Sequence, residues 1–561
     1  MTPPRLAASR GPLAGLAIAI AASAALILVL GSNLTFFRED WELLVTRQDW
    51  TADSFMRPFL EHIVLAPTGI YKLLVAVFGI ESALPFRVVS TAAFSLSVVL
   101  LFVWLRRRVG GWPALMGAVA IAFLGAAYED LLWPFQIGYF GSVAAGLGML
   151  LALDREDRRG DAIACALLVV SLSFSSLGIA FAAGAVADVL LGRRPRARRL
   201  PLVLVPLALF ALWWVVWGQQ ADSVLSAANL VEAPRYVFEA IGAGLASLFG
   251  LASSEPEAER THQIAGHLLA LAALTAASLR IWRLGRVPRD VVVAVAIALT
   301  FWALAAVNQT FDRPPDASRY QYPSAVFLLL ICGGLLRGVR IGGRPLIVAA
   351  AVTGVAVVSG TAFLHREYER WWLPASDSLR ASLAGLEIAG EGAGRDFTVN
   401  FPPNVTLPAS RYFELVRTAG SPAFSESELA GSGERERAAA DLTLAGAHEL
   451  RLTPDARRTK GHDGCHRLAD GGALELPRRT HTLVATEEGP VEVLLSRFSS
   501  TPSVPLGEIR AATSARLRIP LDLSVRRWRL HLRGEGSLAV CRSASRLVAT
   551  ASAAGSKASP R

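Results

Sequence analysis

The sequence predicts a polytopic α-helical membrane protein that carries a β-rich domain at its C-terminal end. Three observations carry this reading. Hydrophobic residues make up 53% of the chain and charged residues only 18%, whereas soluble domains are about a quarter charged. Long apolar runs alternate with short arginine-rich runs as far as Phe363. Beyond His365 the hydropathy drops, and short alternating segments such as EVLLSRF, ARLRIPLDL and RWRLHL appear between Gly, Pro and Ser turns, the pattern of a small sandwich-like β domain.

Leu13 to Leu30 is long enough to cross a bilayer at about 1.5 Å per residue, and Arg5 and Arg10 precede it without an acid. A signal peptide is the competing reading, but no A-x-A site follows and further spans come later. The N-terminus is therefore expected on the cytoplasmic side, and residues 31–83 form the first extracytoplasmic loop. Within that loop Ile63 to Ile80, broken by Pro67, Gly69, Tyr71 and Lys72, suits an interfacial helix. Leu84 to Leu105 is the second span and stops at Arg106, Arg107 and Arg108. Trp112 to Tyr128 leads outward to Glu129 and Asp130, and Ile137 to Leu153 leads back to DREDRRG.

Ala162 to Leu191 is too long for one upright helix, and SFSSLG, Ser173 to Gly178, is the expected break. The arginine run Arg193 to Arg199 then marks the cytoplasmic side. Leu200 to Trp217 exits, and Gln219 to His262 stays outside with Tyr236 to Leu251 lying along the surface. Gln263 to Leu279, Val291 to Val307, Tyr322 to Leu336 and Pro345 to Phe363 complete the spans, with arginines 280, 283, 286, 289, 337, 340 and 344 on the inner side. The expectation is about eleven spans in a domain of residues 1–364, with the arginine runs on one side each time. Residues 365–550 form the extracytoplasmic β-rich domain, and 551–561 a disordered tail.

The net charge of +10 is accounted for by these boundary arginines, so a bilayer rather than nucleic acid is the expected partner. There is no CxxC zinc motif among the four cysteines. Cys165 and Cys332 lie in apolar segments as small packing residues. Cys465 and Cys541 lie in the polar C-terminal region and are the sensible disulfide pair in an oxidising compartment.

Chemistry is expected around Phe36 to Pro67, which gathers Glu39, Asp40, Glu42, Asp49, Asp53, Glu61 and His62 among aromatics. On the same expected side lie Glu129 and Asp130, and the pair Arg319 and Tyr320 in SRYQYP. Carboxylate plus arginine at a membrane face suits one reaction. A carboxylate accepts the proton of an attacking hydroxyl, while a guanidinium holds a departing phosphate in its planar fork. Glu61 and His62 are candidates to orient an acceptor or, with Glu129 and Asp130, to hold a divalent cation such as Mg or Mn. His262 and His267 with Glu255, Glu257 and Glu259 read as a hydrated loop, and Trp213, Trp214 and Trp217 as an aromatic belt. N-x-T triplets at Asn33, Asn308 and Asn404 fall on the outer side.

With FREDW and SRYQYP in these positions, the chain resembles the GT-C membrane glycosyltransferases, the superfamily of protein O-mannosyltransferases and lipid A aminoarabinose transferases. The resemblance implies a polyprenyl-phosphate sugar donor and an envelope glycan, lipid or protein acceptor. It assigns the acidic motif of the first loop to Glu39 and Asp40, with Asp40 as general base and Glu39 as its alternate. The R-Y-x-x-P element maps onto Arg319 to Pro323, with Arg319 at the donor phosphate and Tyr320 beside it. The acids here stand in the order Glu-Asp, where Asp-Asp or Asp-Glu is more familiar. Two other readings stay open: a transporter or flippase of lipid-linked glycans, which would need polar residues at mid-membrane, and an envelope scaffold whose outer domain binds a partner or glycan.

Overall fold

A computed structural model describes residues 10–192, 194–221, 226–252, 256–391, 396–401, 405–455, 465–486, 489–534 and 536–542. The expected tail at 551–561, Glu255 and Asn404 lie outside the described residues. Two compact units are present: residues 1–377 with 401–407 and 414–422, and residues 378–400, 408–413 and 423–561.

The first unit is a helical bundle. Among the described residues eight helices are long and apolar enough to cross a membrane: Arg10–Gly31, Leu84–Val109, Gly111–Leu132, Pro134–Leu153, Arg196–Val216, Thr261–Leu284, Arg289–Val307 and Arg344–Ala389. Leu65–Phe78 and Gly178–Leu191 are shorter apolar helices. The long apolar stretch after residue 160 does break, into Arg158–Phe174 and Gly178–Leu191. Ser175 at the break is extended, and its serine-rich sequence supplies side-chain hydroxyls that compete with the helix ladder. SRYQYP opens the Ser318–Leu335 helix. The interior is filled by side chains such as Phe94, Phe140, Phe181, Tyr322 and Phe327, with edge-to-face contacts of Phe94 and Phe140 on Tyr322 and of Phe181 on Phe327.

Polar residues collect at the two ends of this bundle. At one end the arginines of the boundary runs are paired. Arg108 reaches Asp154 at 2.9 Å and Asp290 at 3.1 Å and stacks over Trp104, and Arg199 reaches Asp188 at 2.7 Å and Asp161 at 3.2 Å. The sequence placed these arginines by their sign alone; the acids that hold them, on or just beyond neighbouring helices, come from the fold. At the other end of the same Leu84–Val109 helix, Arg87 is buried and donates to the backbone oxygens of Thr35 and Leu132.

The strands start later than the sequence suggests. The helical run that begins at Arg344 continues past His365, through a wide turn at Tyr368–Trp372, to Ala389. Its hydropathy falls because Arg366, Glu367, Glu369 and Arg370 enter, but these are good helix formers, so polarity changes there without a change of backbone. The second unit also contains the helices Glu426–Gly431 and Glu434–Ala447 before its main sheets.

Two antiparallel sheets follow. Ala473–Leu476, Trp528–Arg533, Val491–Ser496 and Val504–Ile509 lie side by side in one, and Thr453–Pro454, Ser514–Arg518, Thr480–Ala485, Leu538–Arg542 and His466–Leu468 in the other. The three alternating segments singled out in the sequence all supply strands, and their inward residues Val493, Leu495, Leu517, Trp528 and Leu530 are buried. Cys465 and Cys541 form a disulfide, with Cα atoms 4.3 Å apart. The register explains it: Val540 pairs with His466, which sets Cys541 beside Cys465 on adjacent strands.

Because the bond closes a separation of 76 residues, its loss is expected to cost this unit roughly 3–5 kcal/mol. The paired change Cys465→Ser and Cys541→Ser should therefore expose the strands to limited proteolysis at a lower temperature. Unchanged proteolysis would show that the bond contributes little.

Candidate functional site

The first of the site's segments is set by a turn at Arg38. Its φ is +40°, a conformation that costs a non-glycine residue energy and marks an over-determined position. What fixes it is aromatic packing: the Arg38 guanidinium lies 5.5, 5.9 and 5.7 Å from the rings of Phe37, Trp133 and Trp371. The backbone on either side is tied down as well. Thr35 N donates to Ser376 Oγ at 2.8 Å, and Trp133 Nε1 donates to the Phe37 carbonyl at 3.1 Å.

After this turn the helix Glu39–Val45 begins, and its first two acids face different surroundings. Asp40 is fully buried. Its Oδ2 accepts from Phe37 N at 2.8 Å and its Oδ1 accepts from the Tyr71 hydroxyl. Burial pushes its pKa up to about 6, against the lowering by Tyr71, Phe37 N and Arg87. Glu39 is half-buried, and its Oε2 has no hydrogen-bond partner among the described residues. Burial raises its pKa to about 7, although its own backbone, Arg38 and Arg319 pull the other way. Glu39 thus has the features of a base poised near neutral pH, while Asp40 has both oxygens engaged in holding the loop.

The second segment is the short helical turn Tyr128–Leu132 at the end of Gly111–Leu132. Gly125, just before it, lies so close to the backbone of Gly360 that a side chain on either residue would collide with the other's segment. Glu129 N donates to Ser318 Oγ at 3.1 Å, and Ser318 Oγ donates to the Ala126 carbonyl at 2.8 Å, which docks the start of the Ser318–Leu335 helix on this turn. Arg319 then lies 3.6 Å from Glu129 Oε2, donates to the Asp312 carbonyl, and places its guanidinium 5.5 Å from the Tyr320 ring. Asp130 is fully buried, and neither of its oxygens has a hydrogen-bond partner among the described residues.

Glu61 and His62 belong to a third segment, a tight turn in which Phe59 and His62 exchange backbone hydrogen bonds of 2.9 and 2.8 Å. Glu61 forms an ion pair with Arg313 at 2.5 Å, and its carbonyl accepts from Ser176 Oγ at 3.0 Å. Burial would raise the Glu61 pKa, but His62 and Arg313 bring it below the ordinary carboxylate value. His62 is held below the ordinary imidazole value by burial, then by Arg313 and Arg319, in opposition to Glu61, so it is neutral at pH 7. Among the described residues no three His, Cys, Asp or Glu side chains lie together as a metal-binding group.

Sequence reasoning brought Glu39, Glu129 and Arg319 to one side, and the structure gathers them: Arg319 acts electrostatically on Glu39, His62 and Asp130 and pairs with Glu129. It passed over Arg38, Arg313, Tyr71 and Arg87. The FREDW motif contains Arg38, and its place between two acids and two aromatics was the available signal.

No protein-family model and no curated protein matches this chain. Among solved structures, the cryo-EM structure of an arabinofuranosyltransferase, AftD, from mycobacteria is similar over 93% of this chain, with 12% identity and a TM-score of 0.31. The similarity covers 61% of that protein's chain. The functional reading therefore rests on the residues of the site.

Proposed function

We propose that this chain is a membrane glycosyltransferase of GT-C type that moves a sugar from a polyprenyl-phosphate donor to an acceptor on the extracytoplasmic side. The observation that supports it best is the largely buried carboxylate of Glu39, one oxygen of which has no hydrogen-bond partner among the described residues, in a site whose cations include Arg38 and Arg319. In this reading Glu39 accepts the proton of the acceptor hydroxyl as its oxygen attacks the anomeric carbon. The bond between that carbon and the phosphate oxygen breaks, the electron pair leaves with the lipid phosphate, and the configuration inverts. Arg319 exchanges its loose contact with Glu129 for the departing phosphate, with Arg38 as the second nearby cation.

Asp40 takes a positioning role in this scheme. It anchors the turn that directs Glu39, through Phe37 N and Tyr71. Glu61 and Arg313 tie the Phe59–His62 turn to the loop that precedes Arg319.

The test is transfer of radiolabelled sugar from a panel of polyprenyl-phosphate hexoses and pentoses in membranes expressing the full chain, with and without chelator. Transfer above membranes lacking the protein is expected for at least one donor. Consumption of none would overturn the assignment and return attention to transport or scaffolding, and the chelator arm decides whether a divalent cation assists.

A further inference from the structure

Asp130 has no role in the scheme above, yet it is buried without compensation. Its side chain is wholly removed from solvent, and both carboxylate oxygens lack a hydrogen-bond partner among the described residues. Asp40 offers the comparison within the same site: equally buried, it has a partner for each oxygen. A buried carboxyl without partners costs free energy whether it is charged or neutral. A purely structural role at this position would be filled better by an apolar side chain of similar volume. Residues that break a packing rule without local compensation are concentrated at sites built for a ligand.

The position says which ligand. Asp130 follows Glu129, whose carboxylate stands 3.6 Å from Arg319 without a hydrogen bond between them. It also lies within the electrostatic reach of Arg319. A phosphate arriving at Arg319 would compete with Glu129 for that guanidinium. What is covalently attached to the phosphate, in the reading proposed above, is a sugar.

We propose that Asp130 is the residue that reads the donor sugar, its two oxygens accepting hydrogen bonds from neighbouring hydroxyl groups of the sugar once the phosphate has displaced Glu129 from Arg319. A carboxylate matches a pair of vicinal hydroxyls because both its oxygens are acceptors and both hydroxyls donate. This inference rests on the glycosyl-transfer reading and adds a specificity residue to it.

The experiment measures binding and stability without turnover. Purified full-length wild type, Asp130→Asn and Asp130→Leu are titrated with two probes: a polyprenyl phosphate carrying no sugar, and the same lipid phosphate carrying a hexose or pentose. Thermal melting is followed with and without each probe. Without ligand, Asp130→Leu is expected to melt at or above the wild-type temperature, since it removes a buried carboxyl without partners, and Asp130→Asn close to it, since its amide is equally unpartnered. Affinity for the sugar-free lipid should change less than about twofold. Affinity for the best sugar-bearing lipid should fall about ten- to a hundredfold, the equivalent of hydrogen bonds to a charged group.

A melting temperature several degrees below wild type in both variants, with sugar-lipid affinity retained, would assign Asp130 to the fold and overturn the proposal. Tight binding of the sugar lipid by wild type and both variants alike would overturn it while leaving glycosyl transfer standing. If wild type binds neither lipid, the glycosyl-transfer reading fails and this inference fails with it.

Discussion

Replacing Glu39 with Gln should lower the rate of sugar transfer about a thousandfold and leave the melting temperature nearly unchanged. The size is that of a lost general base, for which factors of roughly 10²–10⁴ are usual. The near-constant stability follows from the environment: Glu39 Oε2 makes no hydrogen bond that an amide would break. Asp40→Asn should behave in the opposite way. Its oxygens hold Phe37 N and the Tyr71 hydroxyl, so an amide in that place strains one of these bonds and melting falls, while the protein that remains folded keeps part of its activity. An inactive but fully stable Asp40→Asn beside an active Glu39→Gln would transfer the role of base to Asp40.

The same assignment fixes a pH dependence. Glu39 works as a base only when deprotonated, and burial raises its pKa to about 7. Transfer efficiency should therefore rise as the pH passes upward through about 7 and fall tenfold per unit well below it. A profile flat from pH 5 to 8 would remove Glu39 from the reaction.

Arg319→Ala should weaken transfer by two to three orders of magnitude, roughly what removal of one transition-state donor costs. Arg319→Lys should recover only part of this, because an ammonium carries the charge but not the planar fork. The loss should appear in kcat as well as in donor affinity, since negative charge develops on the phosphate as the bond to the sugar breaks. An additional effect is expected from Glu129: once Arg319 is gone, the carboxylate loses its cation at 3.6 Å. Transfer by Arg319→Ala at the wild-type rate would dismiss the mechanism.

The sequence revealed different parts of the molecule to different depths. Span boundaries were legible because apolar length and arginine position are properties of short windows, and the helix break near Ser175 was legible from its serines. Counting sides of a membrane put Glu129 and Arg319 on one side, but not in contact with each other. The Cys465–Cys541 bond followed from the two cysteines sharing the polar region. The different surroundings of Glu39 and Asp40 were hidden, because they depend on the turn at Arg38 and on Tyr71 approaching from another helix. Arg313 and Arg87 were hidden for the same reason: their partners Glu61, Thr35 and Leu132 lie far away in the chain. The helix beyond His365 was missed because a loss of hydropathy was equated with a change of backbone.

The helix Leu84–Val109 is clamped near both ends, by Arg87 on two backbone carbonyls and by Arg108 on two carboxylates. Sliding it along its axis by even one residue, about 1.5 Å, would break both sets together. It is therefore a strut of fixed length between the two ends of the bundle. On the glycosyl-transfer proposal, a long lipid would be accommodated by the short segments between the long helices, such as the Phe59–His62 turn that Glu61 and Arg313 tie down.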